Sequence, residues 1–374
     1  MKTFDVYPIF DIEIVKAQGT TLWDKNGKKY LDMYGGHAVI SIGHSHPYYI
    51  KTIDEQLSQI GFYSNSVKIS QQDIVAEKLG KLSGCEDYQL FFCNSGAEAN
   101  ENAFKVASFH NGRKKIIAFS QAFHGRTSLA VAATDNIKIV APVNENNNVV
   151  FMAFNDISRF EQEMSEDVCA VIVEGVQGVG GVNIPTKSFL QSIQQKCKEY
   201  HAVFIMDEIQ SGYGRTGRFF AFQYADVQPD IITIAKGMGN GFPVAGVLIH
   251  PKIQPKKGML GTTFGGNYLA CASAKAVLEV IESENLMDNA YKQGEYIKQQ
   301  LKGLSKIKEI RGLGLMIGIE LFEDASLVRD ILLHQYSIFT GSASNKNTIR
   351  ILPSLAVTKA EIDVLLNALK EILK

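Results

Sequence analysis

Three charged side chains stand where they could do amine chemistry. Each is the first charged residue after a run rich in Ile, Val, Phe or Ala, and these are Glu174, Asp207 and Lys236. Such runs are typical of buried strands, and ligands of α/β proteins bind at the carboxyl ends of the strands. The sequence therefore predicts that one amine and two carboxylates meet at one edge of a sheet.

A lysine amine whose pKa is lowered by desolvation can attack a carbonyl carbon and form a Schiff base. A lone lysine after an apolar run is ordinarily a solvated loop residue. The two acidic neighbours favour a functional interpretation for Lys236. Pyridoxal phosphate requires such a lysine, together with a carboxylate for its ring nitrogen, an anion site for its phosphate and a flat side chain against its ring.

A candidate phosphate site follows the short apolar strand predicted at Tyr88–Phe92. The next residues, Cys93–Asn102, are mostly small or polar and are predicted to open a helix. Backbone N–H groups at a helix start can bind a phosphate when small residues let it approach. A helix that is merely capped by Asn94 or Ser95 explains the same residues equally well.

Composition describes an ordinary globular protein of 374 residues, with 45% hydrophobic and 21% charged residues and a net charge of −1. This balance indicates neither a nucleic-acid partner nor a membrane partner. No apolar run is long enough to cross a bilayer, and Met1–Asp5 lacks the apolar core of a signal peptide.

Cysteine and histidine spacing indicates neither disulfides nor a metal. The odd number of scattered cysteines argues against a disulfide framework and favours a reducing cytoplasm; they are Cys85, Cys93, Cys169, Cys197 and Cys271. His44 and His46 are two residues apart, but no Cys or carboxylate at ligand spacing accompanies them, so no metal is predicted.

Strand and helix patterns alternate along the middle of the chain, which predicts an α/β fold with a mostly parallel central sheet covered by helices. We expect residues 1–50 to form the N-terminal part of a small domain and residues 51–268 a large cofactor-binding domain. Residues 269–374 should supply a linking helix and the C-terminal α+β part of the small domain. Gly175–Gly181 is predicted to be a flexible turn.

Several short motifs occur in a fixed order, and together they resemble the class III aminotransferases. These belong to the fold-type I pyridoxal-phosphate enzymes, and the resemblance is greatest to those acting on acetylornithine and succinylornithine. The match runs nearly end to end, through Asn94–Ala99, Phe123–Thr127, Asp207–Gln210, Gly214–Gly217, Ala235–Gly237, Gly241–Pro243 and Thr262–Asn267.

The resemblance implies a role for each of several residues. Lys236 would bind the cofactor covalently and carry the proton, Asp207 would pair with the ring nitrogen, and Phe123 would stack on the ring. Gln210 would bond the ring hydroxyl oxygen, and Glu174 would belong to the same cofactor site. The expected phosphate ligands are Ser95, Gly96 and Ala97, with Thr263 reaching the neighbouring subunit of a homodimer.

Substrate carboxylates are expected to meet Arg126 and Arg350, with Thr262 at the mouth of the site. The expected reaction moves the distal amino group of N-acetylornithine or N-succinylornithine to 2-oxoglutarate, by a ping-pong cycle in arginine metabolism. Ornithine δ-aminotransferase and 4-aminobutyrate aminotransferase share these motifs and stay as alternatives. A non-catalytic binding protein on the same scaffold is a third, although it would not need both Lys236 and Asp207.

One residue departs from the family pattern. Val179 stands where relatives usually carry a glutamate that can neutralise the C-terminal arginine, which is Arg350 here. An unshielded arginine would favour a donor with a carboxylate of its own. The sequence therefore predicts better use of the succinyl donor than of the acetyl donor.

Overall fold

The structure is a computed structural model that describes all 374 residues. The chain contains fifteen strands in three sheets. In chain order they are β1 (Ile14–Gln18), β2 (Thr21–Asp24), β3 (Lys29–Asp32), β4 (Gln89–Cys93), β5 (Lys115–Phe119), β6 (Val149–Met152), β7 (Val168–Glu174), β8 (Val203–Asp207), β9 (Ile231–Ile234), β10 (Ala245–Ile249), β11 (Ile307–Leu313), β12 (Met316–Leu321), β13 (Ile338–Phe339), β14 (Gly341–Ser342) and β15 (Thr348–Ile351).

The helices longer than one turn surround these sheets. They are α1 (Pro47–Gln59), α2 (Ser70–Ser83), α3 (Gly96–Asn111), α4 (Ser128–Ala132), α5 (Ile157–Glu163), α6 (Lys187–Glu199), α7 (Tyr268–Ser283), α8 (Leu286–Leu301), α9 (Ser326–His334) and α10 (Lys359–Ile372). No helix is long and apolar enough to cross a membrane.

The central sheet has seven strands in the order β4-β10-β9-β8-β7-β5-β6. All pairs from β9 through β6 are parallel, and β10 runs antiparallel to both β9 and β4. Every residue of β7, β8 and β9 is buried, since helices cover both faces. The predicted fold class, an α/β fold with a mostly parallel sheet, is confirmed.

Strand register places the predicted charged residues side by side. Glu174 is paired with Asp207 across β7 and β8, and Asp207 is paired with Thr233 across β8 and β9. Lys236 follows β9 in a short 3-10 turn, Lys236–Met238. Three adjacent parallel strands therefore end within one small region of the sheet edge.

Helix α3 owes its start and its end to local sequence. The hydroxyl of Ser95 accepts a hydrogen bond from the N–H of Glu98, which caps the helix. The helix ends at Gly112, whose φ of 74° is the left-handed conformation that glycine adopts most readily. The cap fixes the first turn of α3 directly after β4, at the sheet edge where Asp207 ends β8.

One of the two smaller sheets joins both ends of the chain. Its strands β2 and β3 form a hairpin around Asn26-Gly27, and β3 pairs in parallel with β13 from the C-terminal region. Strands β11, β12, β15 and β14 form the other sheet. The shared sheet agrees with a small domain built from both chain ends, while the boundaries at residues 50 and 268 stay a prediction.

The flexible turn predicted at Gly175–Gly181 is wrong. Residues Gly178–Gly181 form a one-turn helix whose glycines are buried. An added Cβ at Gly178 would lie 1.7 Å from the amide oxygen of Gln210, so any larger residue would have to displace the Gln210 side chain from the cavity wall. These glycines serve close packing rather than mobility, and composition alone does not separate the two uses.

Candidate active site

A cavity of about 450 Å³ opens at the carboxyl ends of β7, β8 and β9. All the residues predicted for the site line it except Thr262, Thr263 and Arg350. Its wall also includes Val39, Asn94 and the segment Gly241–Val244, to which the sequence analysis assigned no role. The cavity is the region where cofactor and substrate chemistry are expected.

Asp207 is the most tightly held group of the cavity, with only 4% of its surface exposed. Its Oδ2 accepts hydrogen bonds from His124 Nδ1 at 2.7 Å and from Asn100 Nδ2 at 2.8 Å. Its Oδ1 accepts from the N–H of Ile209 at 3.0 Å. Three donors from three segments therefore stabilise a buried carboxylate and fix its orientation.

Sequence reasoning did not assign roles to His124 and Asn100, although both lie within or beside the motifs it used. Because a carboxylate only accepts, His124 must donate through Nδ1. Its Nε2 is buried and has no hydrogen-bond partner within the protein. Asn100 also donates to the carbonyl of His124 at 2.7 Å, so the two residues form one support for Asp207.

Glu174 accepts hydrogen bonds from two segments of the cavity wall, one at Phe123 and one in the helical turn Gly178–Gly181. Its Oε1 accepts from the N–H of Phe123 at 3.0 Å, and its Oε2 accepts from the N–H of Gly178 at 3.3 Å. Burial raises the pKa of Glu174 to about 7, and the charge of Asp207 acts in the same direction. Glu174 thus positions the backbone that carries the Phe123 ring.

Lys236 projects its amine into the cavity without a partner from the protein. Its backbone has a φ of 44°, a left-handed conformation that is strained for any residue with a side chain. Nζ takes part in no hydrogen bond and no ion pair. Burial lowers the pKa of the amine, while the nearby charges of Asp207 and Glu174 raise it. The result is an amine available for covalent or proton-transfer chemistry.

The first turn of α3 presents the anion-binding end of the cavity. The N–H groups of Gly96 and Ala97 have no acceptor within the protein, as expected for a helix start. A Cβ at Gly96 would lie 2.9 Å from the side chain of Ile209, so this position tolerates no side chain. The Ser95 hydroxyl caps the helix, and capping leaves these two N–H groups free for an anion.

The arginines predicted to meet substrate form no ion pair with these acidic groups. Arg126 is exposed on the cavity wall and forms no ion pair. Arg350 is only 4% exposed and lies behind Gln210, whose Oε1 is 3.5 Å from Arg350 Nη1. Its other acceptors are the Tyr34 hydroxyl and the Ser342 carbonyl, so it too lacks a carboxylate partner.

Thr262 and Thr263 are not brought to the cavity of their own chain. Thr262 Oγ1 accepts from the N–H of Gly265 at 3.0 Å, which makes it part of a local turn. Thr263 is exposed on the surface. Within one chain, neither residue reaches the groups around Asp207.

Comparison with known proteins places this geometry in a family. A family model described as Aminotransferase class-III matches residues 5–373. The chain belongs to the class-III aminotransferases. The resemblance inferred from its motifs is therefore confirmed. An aminotransferase is a better interpretation of this scaffold than a non-catalytic binding protein.

Similar enzymes align with nearly the whole chain. The acetylornithine aminotransferase of Bacillus subtilis is 42% identical over 98% of this chain and 96% of its own length. That of Methanocaldococcus jannaschii is 39% identical over 98% and 94%. The solved ornithine aminotransferase of Toxoplasma gondii, described with partial occupancy of pyridoxal phosphate, superposes with a TM-score of 0.90 at 28% identity and covers 98% and 91%.

Class-III aminotransferases use pyridoxal 5′-phosphate. The cavity has a group for each part of that cofactor: an unpartnered amine at Lys236, a buried carboxylate at Asp207, the flat ring of Phe123, and free N–H groups at Gly96 and Ala97. The residues present therefore fit the cofactor that the family uses.

A third buried carboxylate, Glu208, allows a test of the electrostatics of this sheet edge. Its oxygens accept from Ser211 Oγ at 2.6 Å and from the N–H of Phe222 at 2.9 Å, and burial raises its pKa to about 7. The folded protein therefore holds the proton of Glu208 at pH values where the unfolded chain has lost it. The free energy of unfolding must fall as pH rises from about 5 to about 7, by at most ~1.4 kcal/mol per pH unit for one group.

We expect Glu208→Gln to flatten this pH dependence, because an amide keeps the acceptor but has no proton to lose. Urea unfolding of the holoenzyme at pH 5, 6 and 7 measures the effect. Glu323→Gln, at an exposed position, is the matched control and should leave the slope unchanged. An unaltered slope in Glu208→Gln would show that the carboxyl is ionised throughout this range.

Proposed function

We propose that the chain is a transaminase that moves the distal amino group of an N-acylated ornithine to 2-oxoglutarate. The observation that carries the proposal is the unpartnered amine of Lys236 beside the buried carboxylate of Asp207, in a class-III chain. The ornithine part rests on relatives named acetylornithine aminotransferase at 39–42% identity over nearly the full length. Free ornithine is the second candidate donor, because the Toxoplasma gondii ornithine aminotransferase shares the whole fold.

Lys236 would hold the cofactor covalently and, once substrate displaces it, carry a proton to and from the reacting carbon. An amine transfers protons best when its pKa lies near the working pH, and burial moves the pKa of Lys236 in that direction. Lys236 and Asp207 both line the cavity, at the ends of the adjacent strands β9 and β8. The same amine thus serves as anchor and as acid and base.

Asp207 would pair with the ring nitrogen of the cofactor and keep it protonated. When bound, pyridoxal phosphate supplies an electron sink for the carbanion formed at the substrate. The hydrogen bonds from His124, Asn100 and Ile209 would hold the carboxylate in one orientation. Prior orientation matters because a charge that need not reorganise stabilises a transition state most effectively.

Other residues would fix the position of the cofactor. Phe123 would cover one face of the ring, supported through its N–H by Glu174. Gln210 would reach the ring hydroxyl oxygen, and its amide donates to the carbonyl of His37 at 3.0 Å. We assign the phosphate to the free N–H groups of Gly96 and Ala97, with Ser95 as the helix cap that orients them.

Replacing Asp207 by Asn removes the charge and keeps the shape. We expect turnover to fall by at least about 100-fold, because the loss of a preorganised charge costs that much at comparable sites. Stopped-flow rates of the half-reaction with the amino donor measure the effect, with cofactor content checked by absorbance. A rate close to that of the parent enzyme would mean that Asp207 has only a structural role.

Arg126 and Arg350 would receive the carboxylates of substrate. Neither forms an ion pair within the protein, so each keeps its charge available. Val179 lines the cavity, and the hydrogen-bond acceptors of Arg350 include no carboxylate. Acetylornithine brings one carboxylate to this pocket, and succinylornithine brings two.

We therefore expect the succinyl donor to have a kcat/KM about 10- to 100-fold higher than that of the acetyl donor. This ratio corresponds to the free energy of one charge-assisted hydrogen bond. Initial rates with N-acetylornithine, N-succinylornithine, ornithine and 4-aminobutyrate, each with 2-oxoglutarate, decide between the donors. Val179→Glu should narrow or reverse the preference by occupying Arg350, while Val179→Gln, of the same size without the charge, should not. Equal or better use of acetylornithine, unshifted in Val179→Glu, would refute the charge argument.

The enzyme is proposed to be a homodimer whose subunits share their active sites. Thr263 is exposed and lies outside the cavity of its own chain, as expected of a phosphate ligand that acts in the neighbouring subunit. Beside it, the rings of Phe62 and Phe264 pack 5.4 Å apart and are 44% and 59% exposed. Exposed paired aromatic rings favour a protein interface at this surface.

Sedimentation velocity of the holoenzyme should therefore give a dimer. Phe264→Asp places a charge in this surface and should shift the population toward monomer and lower activity in parallel. Phe109→Asp, at another exposed phenylalanine, is the control and should leave the dimer intact. A monomer with full activity would contradict the shared site.

We also propose a cytoplasmic location. All five cysteines are free and buried, which suits a reducing compartment.

A further inference from the structure

A left-handed turn lies beside the cavity at residues Gly35–Ala38. Its four successive φ angles are 57°, 55°, 69° and 63°, and two of them belong to His37 and Ala38, which carry side chains. Consecutive left-handed residues are unfavourable for L-amino acids and persist only where the surroundings impose them. A strained segment at the edge of an active site requires a functional explanation.

Hydrogen bonds on both sides fix this turn. Asp32 Oδ1 accepts from the N–H groups of Tyr34 and Gly35 at 3.0 and 2.8 Å. On the cavity side, the carbonyl of His37 accepts from Gln210 Nε2 at 3.0 Å. The turn is thereby fixed between β3 and the residue proposed to reach the ring hydroxyl.

The hydroxyl of Tyr34, the residue before the turn, links the His37 side chain to Arg350. Arg350 Nη2 lies 3.0 Å from Tyr34 Oη, and Tyr34 Oη lies 2.5 Å from His37 Nδ1. A guanidinium only donates, so the Tyr34 oxygen must accept from it, and the hydroxyl proton is left for His37 Nδ1. The direction of donation is therefore Arg350 to Tyr34 to His37, and the His37 ring carries its proton on Nε2.

The environment favours neutral forms of both partners. Burial raises the pKa of Tyr34, against the opposing effect of the Arg350 and Arg329 charges. Partial burial lowers the pKa of His37, and the positive charges of Arg350 and Lys236 act in the same direction. The acceptors of Arg350, which are Tyr34, Gln210 and the Ser342 carbonyl, are thus all uncharged.

We propose that Tyr34 and His37 form a hydrogen-bond relay that positions Arg350 without pairing it with a carboxylate of the protein. Neutral acceptors orient a guanidinium, whereas a carboxylate would also cancel its charge and have to be displaced by substrate. Because no carboxylate of the protein has to be displaced, Arg350 can bind a substrate carboxylate in both half-reactions. It selects amino donors and 2-oxo acids that carry a carboxylate away from the reacting carbon.

This inference rests on the proposed function, in which Arg350 meets a substrate carboxylate. Glutarate, a dicarboxylate that cannot be transaminated, is the probe, and its Kd is measured from the change in cofactor absorbance of the holoenzyme. We expect Tyr34→Phe to weaken glutarate about tenfold, because one hydrogen bond to a charged group is lost. The KM for 2-oxoglutarate should rise by a similar factor, with kcat within about twofold of the parent.

His37 separates a relay from simple packing. His37→Ala removes the acceptor for the Tyr34 hydroxyl and should weaken glutarate about three- to tenfold. His37→Asn should restore most of the affinity, since Asn offers an acceptor near the position of Nδ1 and tolerates the left-handed backbone. Tyr291→Phe, at an exposed tyrosine of α8 without a hydrogen bond, is the control and should bind glutarate as the parent does.

Parental glutarate affinity in both Tyr34→Phe and His37→Ala would overturn the relay and leave the proposed function intact. Equal weakening in His37→Ala and His37→Asn would also overturn it, because the acceptor would then be irrelevant. Arg350→Ala tests the underlying assignment separately. If that variant binds glutarate normally, the proposed role of Arg350 fails, and the relay fails with it.

Discussion

A carboxylate buried at the end of a central strand imposes the main constraint on this molecule. Its ionised form is costly unless donors surround it, and Asp207 receives three, from His124, Asn100 and its own loop at Ile209. Those donors come from the loop after β5, from α3 and from the chain after β8. Holding Asp207 ionised therefore fixes the mutual positions of the segments that form the cavity.

The other groups of the cavity follow from the same arrangement. Lys236 lies one strand away, where burial disfavours its charged form and two neighbouring carboxylates partly offset that effect. Arg126 is exposed on the cavity wall and Arg350 is buried behind Gln210, and neither forms an ion pair with a carboxylate. Acidic groups are thus proposed to meet the ring nitrogen and the amine, while two arginines without ion pairs are proposed to meet the carboxylates of substrate. A transaminase requires this division, because its substrates carry anionic groups away from the reacting amine.

Much of this arrangement could be predicted from sequence, because it depends on local pattern. Apolar runs that end in a charged residue predict three strand ends at one sheet edge, and the small-residue stretch Cys93–Asn102 after a strand predicts the opening of a helix, which the structure begins at Gly96. The support for Asp207 could not be predicted in this way, since His124 and Asn100 meet it only in three dimensions. The pattern of Gly175–Gly181 predicts a flexible turn, although glycine marks mobility and close packing alike. The left-handed turn at Gly35–Ala38 is not predictable for a related reason, since two glycines predict a bend but not its handedness.

The central claim is that Lys236 is the residue that binds the cofactor. Borohydride reduction of the purified holoenzyme, followed by proteolysis and mass spectrometry, tests it directly, because reduction makes a lysine–cofactor linkage permanent. We expect the mass of the reduced cofactor on the peptide containing Lys236 and on no other. Its appearance on a different lysine, or its absence from every peptide of an active and cofactor-loaded preparation, would show that Lys236 does not bind the cofactor.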